Sequence, residues 1–253
     1  MFLSNISFEG KTGIVTGGTK GIGLATAKQF AQMGGKAIVI GRGEQSGAEA
    51  VAEIGNGAVF YSIDLGNSDA VVSGFEKIIE EQGRIDVLIN NAGIVNTDDF
   101  DKLEKADWDK IIDVDLTAVF LACQTVFRHM ADNGGGRIVN VASIAGKVGG
   151  GYLGTAAYAS AKAAVIALTK AVAKAGCAKN VYCNSLCPAY TKTPLVEKRL
   201  VGEKLDRVLA ATPLHRGADP MEVASAILFL ASDAASYIQG ENLNCDGGML
   251  MDG

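Results

Sequence analysis

Residues 12–33 read T-G-I-V-T-G-G-T-K-G-I-G-L-A-T-A-K-Q-F-A-Q-M. A short apolar run, Thr12–Thr16, meets a cluster of glycines and then an apolar-periodic segment, Leu24–Met33. The order is strand, glycine loop, helix. Glycines in that position permit a tight turn, let backbone approach a pyrophosphate, and leave a helix N-terminus aimed at its charge. Gly17, Gly21 and Gly23 are spaced G-x-x-x-G-x-G rather than the commoner G-x-G-x-x-G. A plain glycine turn would look similar on its own, so the rest of the chain has to decide.

Working outward, residues 36–40 (K-A-I-V-I) predict a second strand, ending at Gly41-Arg42. An acid at this strand end suits the ribose hydroxyls of NAD, and an Arg suits a 2′-phosphate. Arg42, with Lys20 in the glycine loop, points to NADP, with NAD as the alternative. Further strands are expected at 58–62, 86–89, 137–142, 181–187 and 241–245, and helices at 44–54, 69–82, 106–131, 156–176 and 219–231. Alternating strands and helices imply a parallel sheet covered on both faces, with ligands beyond the strand carboxyl ends. The glycine loop, Arg42, Asp64, Asn90–Gly93, Ser143 and Pro188–Thr193 all fall at such ends. Asp64 reads equally as a helix cap or a cofactor contact. A charged stretch within about 190–215 is a candidate lid.

Ser143 to Lys162 carries the chemistry: S-I-A-G-K-V-G-G-G-Y-L-G-T-A-A-Y-A-S-A-K. Tyr158 and Lys162 are four apart in an alanine-rich helix, so phenol and ammonium share a face. A cation beside a phenol favours the phenolate and lowers its pKa. With the Ser143 hydroxyl upstream, the three make a proton-transfer site.

The chain has 253 residues, enough for a substantial core without staples, and no linker-like stretch divides it. One domain is expected over 1–253. A formal charge of −5 with no visible basic face argues against nucleic acid. No signal start and no long uncharged apolar run argue against secretion or a membrane span. The five cysteines include no C-x-x-C pair, so buried free thiols in a reducing, cytoplasmic setting are expected and no metal site is.

Together, T-G-G-T-K-G-I-G (16–23), Asp64-Leu65, N-N-A-G (90–93), Ser143, Y-A-S-A-K (158–162), the Pro188–Thr193 turn and Y-I-Q-G-E-N-L-N-C-D-G-G (237–248) resemble the short-chain dehydrogenase/reductase family. The resemblance runs the length of the chain, in order. It implies a single-domain, doubly wound, seven-stranded Rossmann sheet and hydride transfer between a nicotinamide cofactor and a carbonyl or secondary alcohol. It implies that Tyr158 is the acid/base, that Ser143 bonds the substrate oxygen, and that Lys162 binds the nicotinamide ribose and acidifies Tyr158. It also implies cofactor contacts from Gly17, Thr19, Lys20, Gly21, Ile22, Gly23, Arg42, Asp64 and Leu65. It implies further contacts from Asn91, Ala92, Gly93, Pro188, Ala189, Thr191 and Thr193, with Asp64 near the adenine, Asn91 near the cofactor ribose and Thr193 near the carboxamide. A homotetramer built on the two long helices and the C-terminal segment is usual there.

Three departures stand out. Asp115 occupies a place where the family usually has an Asn that holds a water in a relay to the lysine. We expect Asp115 still to serve the relay, as a partner of Lys162. Ser143 and Tyr158 are 15 residues apart, longer than usual, and Ala189 stands where Gly is usual. The substrate pocket should draw on 94–97, 144–155 and 190–215, including Val95, Ile144, Tyr152, Leu153, Tyr190, Leu195 and Leu214. These are mostly apolar and suggest a neutral, hydrophobic ketone. The alternatives are a 3-oxoacyl thioester reductase of fatty-acid type and a non-catalytic cofactor-binding scaffold. The scaffold reading is disfavoured because both Tyr158 and Lys162 are retained.

Overall fold

The computed structural model describes residues 6–151 and 154–252. Its elements are β1 (Thr12–Thr16), α1 (Gly21–Gln32), β2 (Lys36–Gly41), α2 (Glu44–Ile54), β3 (Val59–Ser62), α3 (Ser68–Gln82) and β4 (Val87–Asn90). They continue with α4 (Lys105–Ile112), α5 (Ala118–Asp132), β5 (Gly136–Val141), α6 (Ala145–Val148), α7 (Ala156–Gly176) and β6 (Val181–Pro188). The last are α8 (Pro194–Glu197), α9 (Glu203–Ala211), α10 (Pro220–Leu230) and β7 (Asn242–Cys245).

All seven strands are parallel, in the order β3-β2-β1-β4-β5-β6-β7. Successive strand residues alternate between the two faces. Ile14, Ile38, Leu88 and Ile138 pack on one side with Phe75 of α3, Val126 of α5 and Val165 of α7. Val15, Val39, Ile89 and Val139 pack on the other with Phe30 of α1, Ala50 of α2 and Ile227 of α10. The sheet is apolar on both faces because helices cover both. The strand order reverses between β1 and β4, and a ligand crevice is expected beyond that point.

Three local results differ from the sequence reading. The helix expected over 106–131 is interrupted: Asp113–Thr117 forms a π-helical turn in which the Ala118 N–H reaches the Asp113 carbonyl. Such wide turns insert a residue and re-aim side chains, often at functional sites. Periodicity cannot show one, because apolar spacing on either side is unchanged. The glycine-rich loop after Ser143 contains the short helix α6, ended by Gly149 at φ +81°. Finally, not every thiol is buried: Cys177 is exposed where α7 runs out on the surface, and Cys245 is half-buried. All five cysteines are free.

The stretch Ala156–Lys179 is long and apolar enough to cross a membrane by length and composition alone. Here it packs against β6, α6 and α4, and it carries Lys162 and Thr169 fully inside the fold.

Candidate active site

The glycine loop is held from behind. The buried Thr16 hydroxyl accepts the backbone N–H groups of Asn91 (2.9 Å) and Ala92 (3.0 Å). In return the Asn91 amide donates to the Thr16 carbonyl (2.9 Å). β1 and β4 are thereby locked where the sheet order reverses. A Cβ on Gly23 would collide with the Gly17 carbonyl and the Asn91 amide. Gly23 therefore serves packing and lies behind the loop, not at the cleft surface where a cofactor contact was expected. Thr19 also stands off the cleft lining, against Gly41 at the end of β2. Thr16 was missed in the sequence because a threonine ending a strand has no distinctive spacing.

A cavity of about 880 Å³ spans the strand carboxyl ends, the size of a ligand site. Gly17, Lys20, Gly21, Ile22, Arg42, Asp64 and Leu65 line one half. Asn91, Ala92, Gly93, Pro188, Ala189, Thr191 and Thr193 line the middle. No side chain caps the N-terminus of α1, so its first N–H groups are free to bind an anion. Lys20 and Arg42 are exposed and form no ion pair among the described residues. Asp64 is not the cap of α3; Asn67 is, accepting from the Ala70 N–H. The Asp64 carboxylate instead closes its own turn on the Gly66 N–H (3.0 Å) at the cleft wall.

The other half is chemical. Ser143 is nine-tenths buried, and its hydroxyl accepts from the Ala145 N–H (3.1 Å). Lys162 is 3% exposed; its Nζ donates to the Val141 carbonyl (3.1 Å) and lies 5.6 Å from the centre of the Tyr158 ring. Asp115 has no exposure at all. Its Oδ1 accepts the Ile94 N–H (2.8 Å), and its Oδ2 lies 3.4 Å from Lys162 Nζ with no well-directed hydrogen bond. This buried carboxylate projects from the π-helical turn. Gly93 covers the pair so closely that a Cβ there would sit 2.8 Å from Asp115 Oδ2.

The electrostatics differ from the sequence expectation for Tyr158. Burial raises the phenol's pKa, and the opposing pull of Lys162 and the Ser143 hydroxyl does not offset it. The phenol is thus neutral near pH 7, the form that can donate a proton. Burial alone would lower Lys162, but Asp115 and Tyr158 together hold it above the usual lysine value. Burial raises Asp115, against the pull of Lys162.

On the substrate side, Val95, Ile144, Tyr190 and Leu195 line the cavity. Leu214 does not: it is 60% exposed, outside the cleft. Tyr152 and Leu153 lie outside the described residues. Arg199 and Met249, which the sequence reading did not site, line the cavity as well.

A family model described as Enoyl-(Acyl carrier protein) reductase matches residues 17–250. The 3-oxoacyl-[acyl-carrier-protein] reductase FabG of Vibrio cholerae is 37% identical over 246 residues, covering 97% of this chain and 100% of that one. A solved short chain dehydrogenase/reductase family protein is 36% identical with a TM-score of 0.86, over 96% of this chain and 98% of that one. A Beutenbergia cavernae structure, a candidate NAD(P)-dependent gluconate 5-dehydrogenase with NADP bound at low occupancy, is 33% identical with a TM-score of 0.90. It covers 97% of this chain and 99% of its own. With its parallel seven-stranded sheet and its ordered motifs, the chain belongs to the short-chain dehydrogenase/reductase family.

Proposed function

We propose that this oxidoreductase interconverts a ketone and a secondary alcohol with NADP(H). The observation that carries the reading is convergence in one cavity. Ser143, Tyr158 and Lys162 line one end, with Asp115 buried behind Lys162, and Lys20 and Arg42, without an ion pair among the described residues, lie at the other. The cavity fits a dinucleotide: an uncapped helix N-terminus faces it, its glycine loop is held by Thr16, and two free cations suit a 2′-phosphate. The bound NADP of the Beutenbergia cavernae relative supports the same choice.

When bound, the cofactor supplies or accepts the hydride at the carbonyl carbon. In reduction, Tyr158 gives its phenolic proton to the carbonyl oxygen as negative charge develops there. Ser143 donates a hydrogen bond to that oxygen. Lys162 holds the cofactor ribose and stabilises the phenolate left behind. Asp115, with Tyr158, holds the Lys162 pKa up against the lowering by burial and so favours the charged ammonium. In oxidation the same steps run backwards, and Tyr158 must start as phenolate.

The substrate we propose is an apolar-bodied ketone, because Val95, Ile144, Val148 and Leu195 line the cavity beside Ser143 and Tyr158. One observation favours a second reading, a 3-oxoacyl thioester: the likeness to FabG, with Arg199 in the cavity wall. Turnover of cyclic ketones but not of acetoacetyl-coenzyme A decides for the first, and the reverse result decides for the second. Assembly as a homotetramer belongs to the same proposal; the half-exposed Phe120 on α5 supports it, and light scattering decides it.

Two expected results arise here. The wild type should prefer NADP(H), and Arg42→Asp should weaken NADP(H) binding about 10- to 100-fold, as expected for a lost charged hydrogen bond. A wild type preferring NAD(H), or an unchanged preference in the variant, would remove Arg42 from the role. Asp115→Asn should move the pH–rate profile for alcohol oxidation to lower pH. The Asp115 charge raises the Tyr158 pKa directly, so with Lys162 still protonated its loss makes the phenolate accessible at lower pH. A midpoint that stays in place would refute the link.

A further inference from the structure

The segment after β7 crosses from the lid to the substrate loop on a built path. Asp246, nine-tenths buried, turns the chain by accepting the backbone N–H groups of Gly248 (2.9 Å) and Leu250 (2.7 Å). On the lid side, the Leu214 N–H donates to the Gly247 carbonyl (3.2 Å), and Gly248 lies against Pro213. At the far end, Asp252 accepts from the Asn244 amide (2.7 Å) and stands 3.0 Å from Lys147 Nζ. Between these anchors Met249 lines the cavity.

Lys147 belongs to α6, which begins two residues after Ser143. The pair is half-sheltered: Lys147 is 14% exposed and Asp252 40%, and Asp252 has a second donor in Asn244. Charge pairs gain worth as water is excluded and geometry is shared. α6 also packs closely on α7: a Cβ on Gly146 would lie 2.6 Å from the Ala163 nitrogen. α6 is followed by three consecutive glycines, Gly149–Gly151, which give it little restraint of their own. The contact with Asp252 adds a restraint from the C-terminal segment.

We propose that residues 246–252, latched by Asp252 to Lys147, form the fixed wall of the substrate half of the cleft. Met249 and this latch together determine how bulky a ketone is admitted. The proposal rests on the ketone-reductase reading above. Lys147 and Asp252 act as positioning residues, and Met249 as a specificity-determining one.

The test compares wild type with Asp252→Asn, Lys147→Met and Met249→Ala on a series of ketones from acyclic to bulky cyclic. Hydrogen exchange of residues 144–151 is followed in parallel. Both latch variants should exchange faster in 144–151 and raise KM for the smallest good substrate. All three variants should shift kcat/KM towards bulkier ketones by about 10-fold, the scale of a small change in pocket fit. NADPH affinity should stay near wild type. The paired exchange Lys147→Asp with Asp252→Lys should recover part of the original selectivity. Unchanged exchange in the latch variants overturns the latch, and faster exchange with unchanged selectivity overturns its role in specificity. Exchange needs no turnover. A wild type inert towards every ketone would therefore sink the reductase reading and still leave the latch decided.

Discussion

Tyr158→Phe is expected to lower kcat for ketone reduction by about 10²- to 10⁴-fold, the usual worth of a positioned general acid. That is about 3–5 kcal/mol of transition-state stabilisation. The effect should fall on kcat, because the proton is needed only as charge develops on the carbonyl oxygen. Folding should be nearly untouched. The ring packs into space that Gly154 leaves open and lies beneath the Lys162 ammonium, and phenylalanine keeps both contacts. Ser143 keeps its bond to the Ala145 N–H without the phenol. NADPH binding, read by fluorescence, should remain within a few-fold of wild type. A variant that turns over like the wild type would remove Tyr158 from the general-acid role.

How much of this site could be read from the sequence depends on how local each contact is. Tyr158 and Lys162 are four residues apart on one helix, so their shared face follows from helix geometry alone. The glycine loop and Asn90–Gly93 sit at strand ends, and parallel strands bring such ends together wherever they occur in the chain. Asp64 was ambiguous because an acid after a strand suits two jobs; it took Asn67 capping α3 to remove one. The pKa of Tyr158 was misjudged because a neighbour's charge is visible in sequence whereas burial is not, and burial is the larger effect. The π-helical turn at Asp113–Thr117, which carries the buried Asp115, leaves no trace in apolar spacing. Lys147 and Asp252 are 105 residues apart, and nothing in either segment names the other. Leu214 looked like a pocket residue by position in the lid, yet its loop turns away towards Gly247.

Lys162→Met is the change expected to cost most in both activity and stability. In the wild type two charges are removed from water together, Lys162 at 3% exposure and Asp115 at none. Removing one partner leaves the other buried and uncompensated, which typically costs about 3–5 kcal/mol. At about 2–4 °C per kcal/mol for a chain of this size, Tm should fall by about 6–20 °C. The loss should depend on pH with a definite sign. Asp115 is already raised by burial, and Lys162 is what pulls it back. Without Lys162 the folded-state pKa rises further above the unfolded value, so the folded chain binds the extra proton more readily. Stability of the variant should therefore fall as pH rises through that interval and recover as pH drops. Lys162→Met with Asp115→Asn removes the stranded charge and should regain much of the Tm, since a broken pair costs more than a pair deleted whole. Activity should not return with it, because neither the phenolate nor the cofactor ribose has regained its cation. A single variant as stable as wild type, or a double variant no more stable than the single, would show that Asp115 and Lys162 do not act as a buried pair.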